Sequence, residues 1–463
     1  MPLVLGIPPA VVKLVQEGLL ERAFHDGLFP ALQYRAEALV EEWPANTGTE
    51  LFMSRPGLLA PVTRPIAPGV DPVPQSLSFE QWSASLQKFS GTIDTHMPTS
   101  AVASSNLFLR NIHQLGLQAG QSLNRIPRNA LFKSYLSGQT NLIAAALAGD
   151  TTIRVAAING FTDVVIPSGT VRPAPVSSAT PLPITIAGVT GTRNVIGAIP
   201  DNPDDPYGPG TLQLSAAVGG AGAALRAAVI SSAAPLVIRS GGGTSVDAIG
   251  AADVFTLQDA INAVNKLRRN NVPPHEDGYY HAHISPDSNS QVFTDPAFQR
   301  LNTALPDHRI YQEGFIGTIA GIMFFMNTES PDERNTGNLT PTGVSSIYAE
   351  DIGAEVVNAT GVKISRILIT GRGALYEKWL PGQNFVSEAG LTGKMGEFEI
   401  VNAGLTVSTE RIDLILRAPL NRLQDKVAAT WQISTSFPVP TDVTSGTGPE
   451  RYKRAVVIEH SLA

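Results

Sequence analysis

Residues 46–75 carry six prolines among apolar side chains and offer almost no pattern that a helix could use. Proline removes a backbone donor and fixes φ, so this stretch cannot form a helix or a central strand. It is also long for a loop inside a compact domain. Phe52, Leu58, Leu59, Val62 and Ile66 therefore have no core of their own within it. Left bare they would aggregate; the alternatives are packing on another subunit or folding back on the parent domain. Packing between subunits is the expectation. The next residues, SLSFEQWSASLQKFSGTIDTHMP, alternate in polarity and read as one or two strands. Paired with the preceding arm they would make a long two-stranded flap, with Trp82 and Phe89 as aromatic anchors of the kind enriched at interfaces.

Helical spacing flanks this segment. Val11, Val12, Val15 and Leu19 share one face, and Pro30 opens a second segment carrying Leu32, Ala36 and Leu39, so helix is expected to about Trp43. Beyond the flap, Phe108, Ile112, Leu115, Ala119 and Leu123 form the longest helical stripe in the chain. Pro127 is expected to stop or kink it, with a second helix, RNALFKSYLSG, ending at a Gly138 cap.

A change of composition follows. Residues 149–245 contain neither Lys nor Glu, and no Glu occurs between Glu80 and Glu276. Short Val/Ile/Thr runs (TTIRVAAI, VVIPSGTV, LPITIAGV, GTLQLSAAV, APLVIRS) alternate with turn residues, which reads as an inserted antiparallel β-domain. GGGTS at Gly241 would be its exit. Thr256 and Asp259 fit a capping box for a helix bearing Ile261, Val264 and Leu267, with Lys266, Arg268 and Arg269 at its C-terminal end. YYHAHISPDS reads as strand then turn, GFIGTIAGIMFFMNT as a buried strand pair, and the C-terminal third as mixed strands.

The chain has no Cys, which excludes disulfide scaffolding, thiolate catalysis and Cys-based metal centres. Charged residues are 16% against a usual quarter, a surface suited to being covered by partners. A net charge of −7, with scattered Lys and Arg, gives no basic face for gripping nucleic acid. No apolar run approaches the length needed to span a bilayer, and no signal peptide is expected.

Candidate chemistry is sparse. His281 and His283 share one strand face, with Asp287 nearby, but two-residue His pairs arise by chance and no third ligand is identifiable, so a structural role is expected. Asp201, Asp204 and Asp205 lie in a Pro/Gly turn and read as solvated, as do Asp332 and Glu333. GGGTS, TGKMG and GFIGTIAG each lack the features of a phosphate cradle. No catalytic residue, cofactor or metal site is expected, and the chain does not read as an enzyme.

NLFLRNIHQLGLQAGQSLNR leading to FKSYLSGQT, then LRRNNVPPHEDGYYHAHISPDS, FTDPAFQRL and YQEGFIGTIAGIMFFMNTESP, resembles in order the major capsid proteins of tailed bacteriophages with the Hong Kong 97 fold. It resembles most the podophage coat proteins that carry a β-domain insertion. The resemblance implies an α+β chain divided into an N-terminal arm (1–45), an extended flap (46–98), peripheral spine helices (99–148), an inserted β-rich domain (149–245), an axial domain (246–400) and C-terminal strands (401–463). It implies hexamers and pentamers closing an icosahedral shell in the virion, assembled in the host cytoplasm around double-stranded DNA without sequence-specific binding. A scaffolding protein and a portal are implied during assembly, with a decoration or cement protein as a further partner, and no membrane. Some members weld subunits through a Lys–Asn bond; Lys88 lies in the flap, but no motif identifies such a pair. Competing readings are an encapsulin-like nanocompartment subunit and a β-rich hydrolase.

Overall fold

The computed structural model describes residues 19–28, 33–44, 47–56, 62–67, 69–75, 79–96, 98–99, 107–168, 170–203, 207–303, 317–327, 356–358, 360–380, 405–409, 411–417, 426–440 and 454–462. Helices and strands are mixed throughout, and the chain divides into two units. One comprises Met1–Leu51, Ser83–Arg128 and Leu375–Pro438; the other comprises Phe52–Trp82, Asn129–Ala374 and Val439–Ala463.

In the first unit, helix α1 (Leu19–Leu28) and the long helix α2 (Leu107–Tyr135) cover a sheet. The stripe Phe108, Ile112, Leu115, Ala119 and Leu123 is buried at 3% exposure or less, against Phe24 and Leu28 of α1 and a row from Ile412 to Ile433 on the sheet. Burying each of the larger side chains contributes about 1.5–3 kcal/mol. Gly116 lies where the helices touch backbone to backbone: a Cβ there would meet the Phe24 carbonyl oxygen at 2.3 Å.

Pro127 lies inside α2 and does not end it. A proline costs one backbone hydrogen bond, and the fully buried Leu131 and Phe132 in the turns beyond it supply packing that offsets the loss. Gly138 follows in the left-handed region (φ +70°), as a cap position requires.

The sheet runs in the order Ala38–Glu42, Leu375–Trp379, Lys426–Ser436, Ile412–Arg417, Leu405–Thr409, with Gln87–His96 also paired to Lys426–Ser436. The helix expected from Pro30 to Trp43 is thus corrected. Arg35–Glu37 is a single 3₁₀ turn and Ala38–Glu42 is a strand parallel to Leu375–Trp379. Two interactions with residues far along the chain override local propensity there. Arg35 Nη2 bonds the buried Glu377 carboxylate at 2.6 Å, and Lys378 pairs with Glu41. Of the N-terminal stripe, Val11, Val12, Val15 and Leu32 lie outside the described residues.

The second unit holds the insertion. Its six antiparallel strands run in the order Gln139–Asn141, Ala228–Ser231, Leu182–Ile186, Arg193–Pro200, Gly210–Leu214, Thr152–Val155. The end strands meet through a Leu142–Val155 bridge and through Ile143 N–H to Arg154 C=O and Ala156 N–H to Asn141 C=O. The sheet therefore closes into a barrel and leaves no free edge. Leu142, Ile153, Phe161, Leu182, Ile184, Val195, Leu212 and Val229 fill it. Two expectations differ. The barrel takes its first strand at Gln139, before the expected boundary, and Val237–Arg239 leaves it to pair in parallel with Ala455–Ser461.

That pairing belongs to a seven-stranded mixed sheet in the order Val237–Arg239, Ala455–Ser461, Lys363–Thr370, Tyr280–Ile284, Ile322–Met326, Thr318–Ile319, with Val356–Val357 beside Lys363–Thr370. Helix α3 (Leu257–Arg269) lays Leu257, Ala260, Val264 and Leu267 on it. The capping box forms as the sequence spells it: Asp259 N–H donates to Thr256 Oγ1 and Thr256 N–H to Asp259 Oδ2. After Tyr280–Ile284 the expected turn is instead helix α4 (Pro286–Thr294), capped by Ser285 with Pro286 at its first position, and α5 (Pro296–Thr303) follows. Thr318–Ile319 and Ile322–Met326 form the expected strand pair around Ala320 and Gly321, both at positive φ.

A fourth sheet, of four strands, joins strands of the flap to the insertion. Glu50–Pro56 lies beside Phe79–Ser85, which meets the hairpin of Asp163–Ser168 and Thr170–Pro175. The run VVIPSGTV thus pairs outside the barrel.

Candidate assembly surface

From the strand Glu50–Pro56 the chain continues through residues 62–67 and 69–75, every one of which is exposed. None has regular structure beyond a bend and a turn residue, as Pro65, Pro72 and Pro74 dictate. The segment nonetheless carries Val62, Ile66, Val70 and Val73, at 74%, 50%, 60% and 87% exposure, and Phe52 on the strand before it is 72% exposed. Scattered apolar exposure is ordinary, but five bulky apolar side chains exposed among the described residues between 52 and 73 are not. Its charges are few: Arg55, Arg64 and Asp71 between Phe52 and Gln75.

The seven residues expected at an interface divide into three groups. Phe52, Val62 and Ile66 are exposed. Trp82 is 4% exposed within its own chain, with the Arg55 guanidinium carbon 5.8 Å from its ring, and Phe89 is half-buried against the core of the first unit. Strand alternation explains both: Trp82 and Ala84 point inward while Ser83 and Ser85 point out. Leu58 and Leu59 lie outside the described residues. Val70 and Val73 were not singled out from the sequence, although the same Pro-rich context that marked Val62 and Ile66 marks them.

The polar candidates form internal contacts. His281 stacks on His275 with ring centroids 4.0 Å apart, and its Nε2 is 2.8 Å from Asp277 Oδ2. Burial works to raise the Asp277 carboxyl, but the Tyr279 N–H and the His281 ring outweigh it and hold it below the usual carboxylate range. His283 is buried and stacks on Phe325. Asp201 pairs with Arg154, whereas Asp204, Asp205, Asp332 and Glu333 lie outside the described residues. Lys88 is exposed on Gln87–His96.

One constellation was missed. Ser288 Oγ is 2.9 Å from His460 Nε2 and 2.8 Å from Ser285 Oγ, while His460 Nδ1 donates to the Ser461 carbonyl oxygen at 2.9 Å. A hydroxyl beside an imidazole has the parts of a nucleophile and its base. Here Ser285, Ser288 and His460 are all 0% exposed and the imidazole is oriented by a backbone carbonyl, so the group is internal packing chemistry. Burial pushes the His460 pKa down to about 4, and the ring is neutral at pH 7. Beside it in the same strand, Glu459 receives Arg239 Nε at 2.9 Å on one oxygen and Arg366 Nε at 3.0 Å on the other. Charged letters inside apolar runs (AVVIEHS, KISRILIT) were the available signal for these pairs.

No family model matches the chain, and no curated protein does. Among solved structures the chain is similar to bacteriophage capsids. A capsid of Ralstonia phage GP4 aligns over 93% of this chain and 91% of that one, at 12% identity and a TM-score of 0.46. Capsid structures of the cyanophages P-SCSP1u and Pam1 align over 92% and 94% of this chain and 88% and 92% of theirs, each at 10% identity and a TM-score of 0.46.

Proposed function

We propose that this chain is the major capsid protein of a tailed bacteriophage, self-assembling into hexamers and pentamers of an icosahedral shell. The observation that carries the reading is the exposure of Phe52, Val62, Ile66, Val70 and Val73, apolar side chains with chemistry for a neighbouring copy and none for solvent. The order of elements supports it: an N-terminal helix, paired extended strands, a 29-residue helix, an inserted barrel and a mixed sheet completed by the C-terminal strand. In Hong Kong 97 terms, residues 46–98 act as the flap, α2 as the spine, and the barrel as the insertion.

Ring formation uses head-to-tail contacts, in which one face of a subunit meets a different face of the next. An extended strip suits this because it adds contact area without enlarging the body and tolerates both five-fold and six-fold neighbours. A standard specific interface buries on the order of 1,600 Å². The shell encloses double-stranded DNA without reading its sequence, consistent with a net charge of −7. Scaffolding protein and portal act during assembly in the host cytoplasm, and a cement protein is a further candidate partner of the finished virion.

The test is the double variant Val62→Asp with Val73→Asp, co-expressed with its neighbouring genes. Because both side chains are exposed, the subunit stays folded, and sucrose-gradient sedimentation finds it only in the light fractions. Full-size particles from this variant would refute the assignment.

A further inference from the structure

We propose that the solvent face of α3 is a contact surface for the phosphate backbone of the double-stranded DNA inside the shell, an inference that rests on the shell-subunit reading and gives the subunit an inward side. Ala260, Val264 and Leu267 turn one face of this helix into the core beneath it, which fixes the opposite face outward. The exposed residues of α3 are Gln258, Asn262, Asn265, Lys266, Arg268 and Arg269, and every one is an amide or a cation. Gln258, Asn262, Lys266 and Arg269 follow one another at helical spacing and make a ridge about 16 Å long by the rise of an α-helix. Along it, Gln258 Nε2 donates to Asn262 Oδ1 at 3.0 Å. Arg268 is held beside the ridge: a Cβ on Gly321 would meet its Nη2 at 2.5 Å, and its guanidinium carbon lies 5.8 Å from the centre of the Tyr280 ring.

Charge and composition select the occupant. No acidic residue stands between Asp259 and Glu276, in a chain whose net charge is −7. The flanking carboxylates are engaged elsewhere. Asp259 accepts the Thr256 N–H and the Ser240 hydroxyl, Glu276 pairs with Arg372 at 2.8 Å, and Asp277 pairs with His281. The helix dipole is felt only within the last turn, so it accounts for a cation there but not for the amides two turns back. Where proteins meet proteins, Lys is depleted and aromatic residues are enriched, yet this face carries Lys266 and no exposed apolar side chain. Phosphate oxygens accept from Lys, Arg, Asn and Gln alike, and that is the donor set present. Three cations give a weak contact that reads no sequence. Repeated over a shell, it lines the wall against packaged DNA without gripping any one site.

The free subunit is titrated against a short DNA duplex of mixed sequence by fluorescence anisotropy. Lys266→Gln with Arg269→Gln is expected to weaken binding roughly tenfold at low salt and to flatten the slope of log K against log salt by about 1.8, at roughly 0.9 per phosphate contact. Arg22→Gln with Arg110→Gln removes the same charge from exposed positions of α1 and α2 and is expected to leave both quantities unchanged. A Lys266→Gln, Arg269→Gln variant that binds like wild type, equal losses in the two pairs, or a wild-type subunit that leaves the duplex free at low salt overturns the surface. In filled particles, the absence of Cys lets Asn262→Cys carry a single photoactivatable azide. It is expected to form an adduct with DNA; filled particles that give no adduct, or one with another protein only, overturn the surface as well. Wild-type chains that form no shell with their neighbouring genes overturn the reading beneath it instead, so the two failures are distinguishable.

Discussion

Replacing Glu459 by Gln tests the energetics of the second unit most sharply. The carboxylate is 1% exposed, and its two oxygens each accept one arginine, Arg239 and Arg366, whose side chains are 8% and 1% exposed. Glutamine keeps the shape but leaves two buried guanidinium groups without a counter-charge. Breaking a buried pair by removing one partner costs about 3–5 kcal/mol, and the loss here falls in that range because both cations are stranded together. The triple variant Arg239→Met, Glu459→Leu, Arg366→Met removes all three charges and is expected to lie close to wild type, since apolar replacement of such triads is often neutral or better. Urea denaturation of the free subunit, followed by amide hydrogen exchange in Lys363–Thr370 and Ala455–Ser461, measures both. Desolvation works to raise the Glu459 carboxyl, but the two arginines outweigh it and the folded pKa is lowered. The folded form thus holds fewer protons than the unfolded form, so this stability is present above the ordinary carboxylate pKa and is lost as pH falls through the depressed folded value. A Glu459→Gln variant within 1 kcal/mol of wild type at pH 7 would refute the reasoning.

Other perturbations separate the elements. Gly116→Ala gains about 1 kcal/mol in helix propensity yet is expected to destabilise the first unit by about 1–3 kcal/mol net, because its Cβ collides with the Phe24 carbonyl oxygen; a stabilised variant in urea would contradict the close crossing. Trp82→Ala is expected to cost the isolated subunit about 3–5 kcal/mol, whereas Phe52→Asp changes it by less than about 0.5 kcal/mol and shows its effect only in particle yield. Wild-type stability is expected to fall between about pH 6.5 and pH 4, because unfolded His460 takes a proton that the folded ring, at about 4, refuses. Replacing His460 by Gln should flatten that part of a pH–urea profile.

Local rules carried the sequence reading where a signal fits within one element. The spacing from Phe108 to Leu123, the Thr256–Asp259 box and the alternation of LPITI and GTLQL needed no partner to be recognised, and all five of the helical stripe are buried. It failed where a distant partner decides. Ala38–Glu42 looks helical until Leu375–Trp379 lies beside it, and Pro127 looks like a stop until the buried residues beyond it are placed. RNVIGAIP and AVIS stand outside the expected runs, yet each pairs on both sides within the barrel. The buried triad joins positions 239, 366 and 459, a juxtaposition no local pattern encodes. For the assembly surface, composition exposed the Pro-rich strip and pattern the alternation around Trp82, but not which face of that strand turns inward.

The central claim is that this chain builds a shell, and electron microscopy of the protein expressed alone and with its neighbouring genes tests it most directly. The account predicts closed particles, or flat sheets of hexamers, resolving into hexameric and pentameric rings in which residues 52–75 of one subunit lie on the next. A dispersed monomer in both preparations would contradict it.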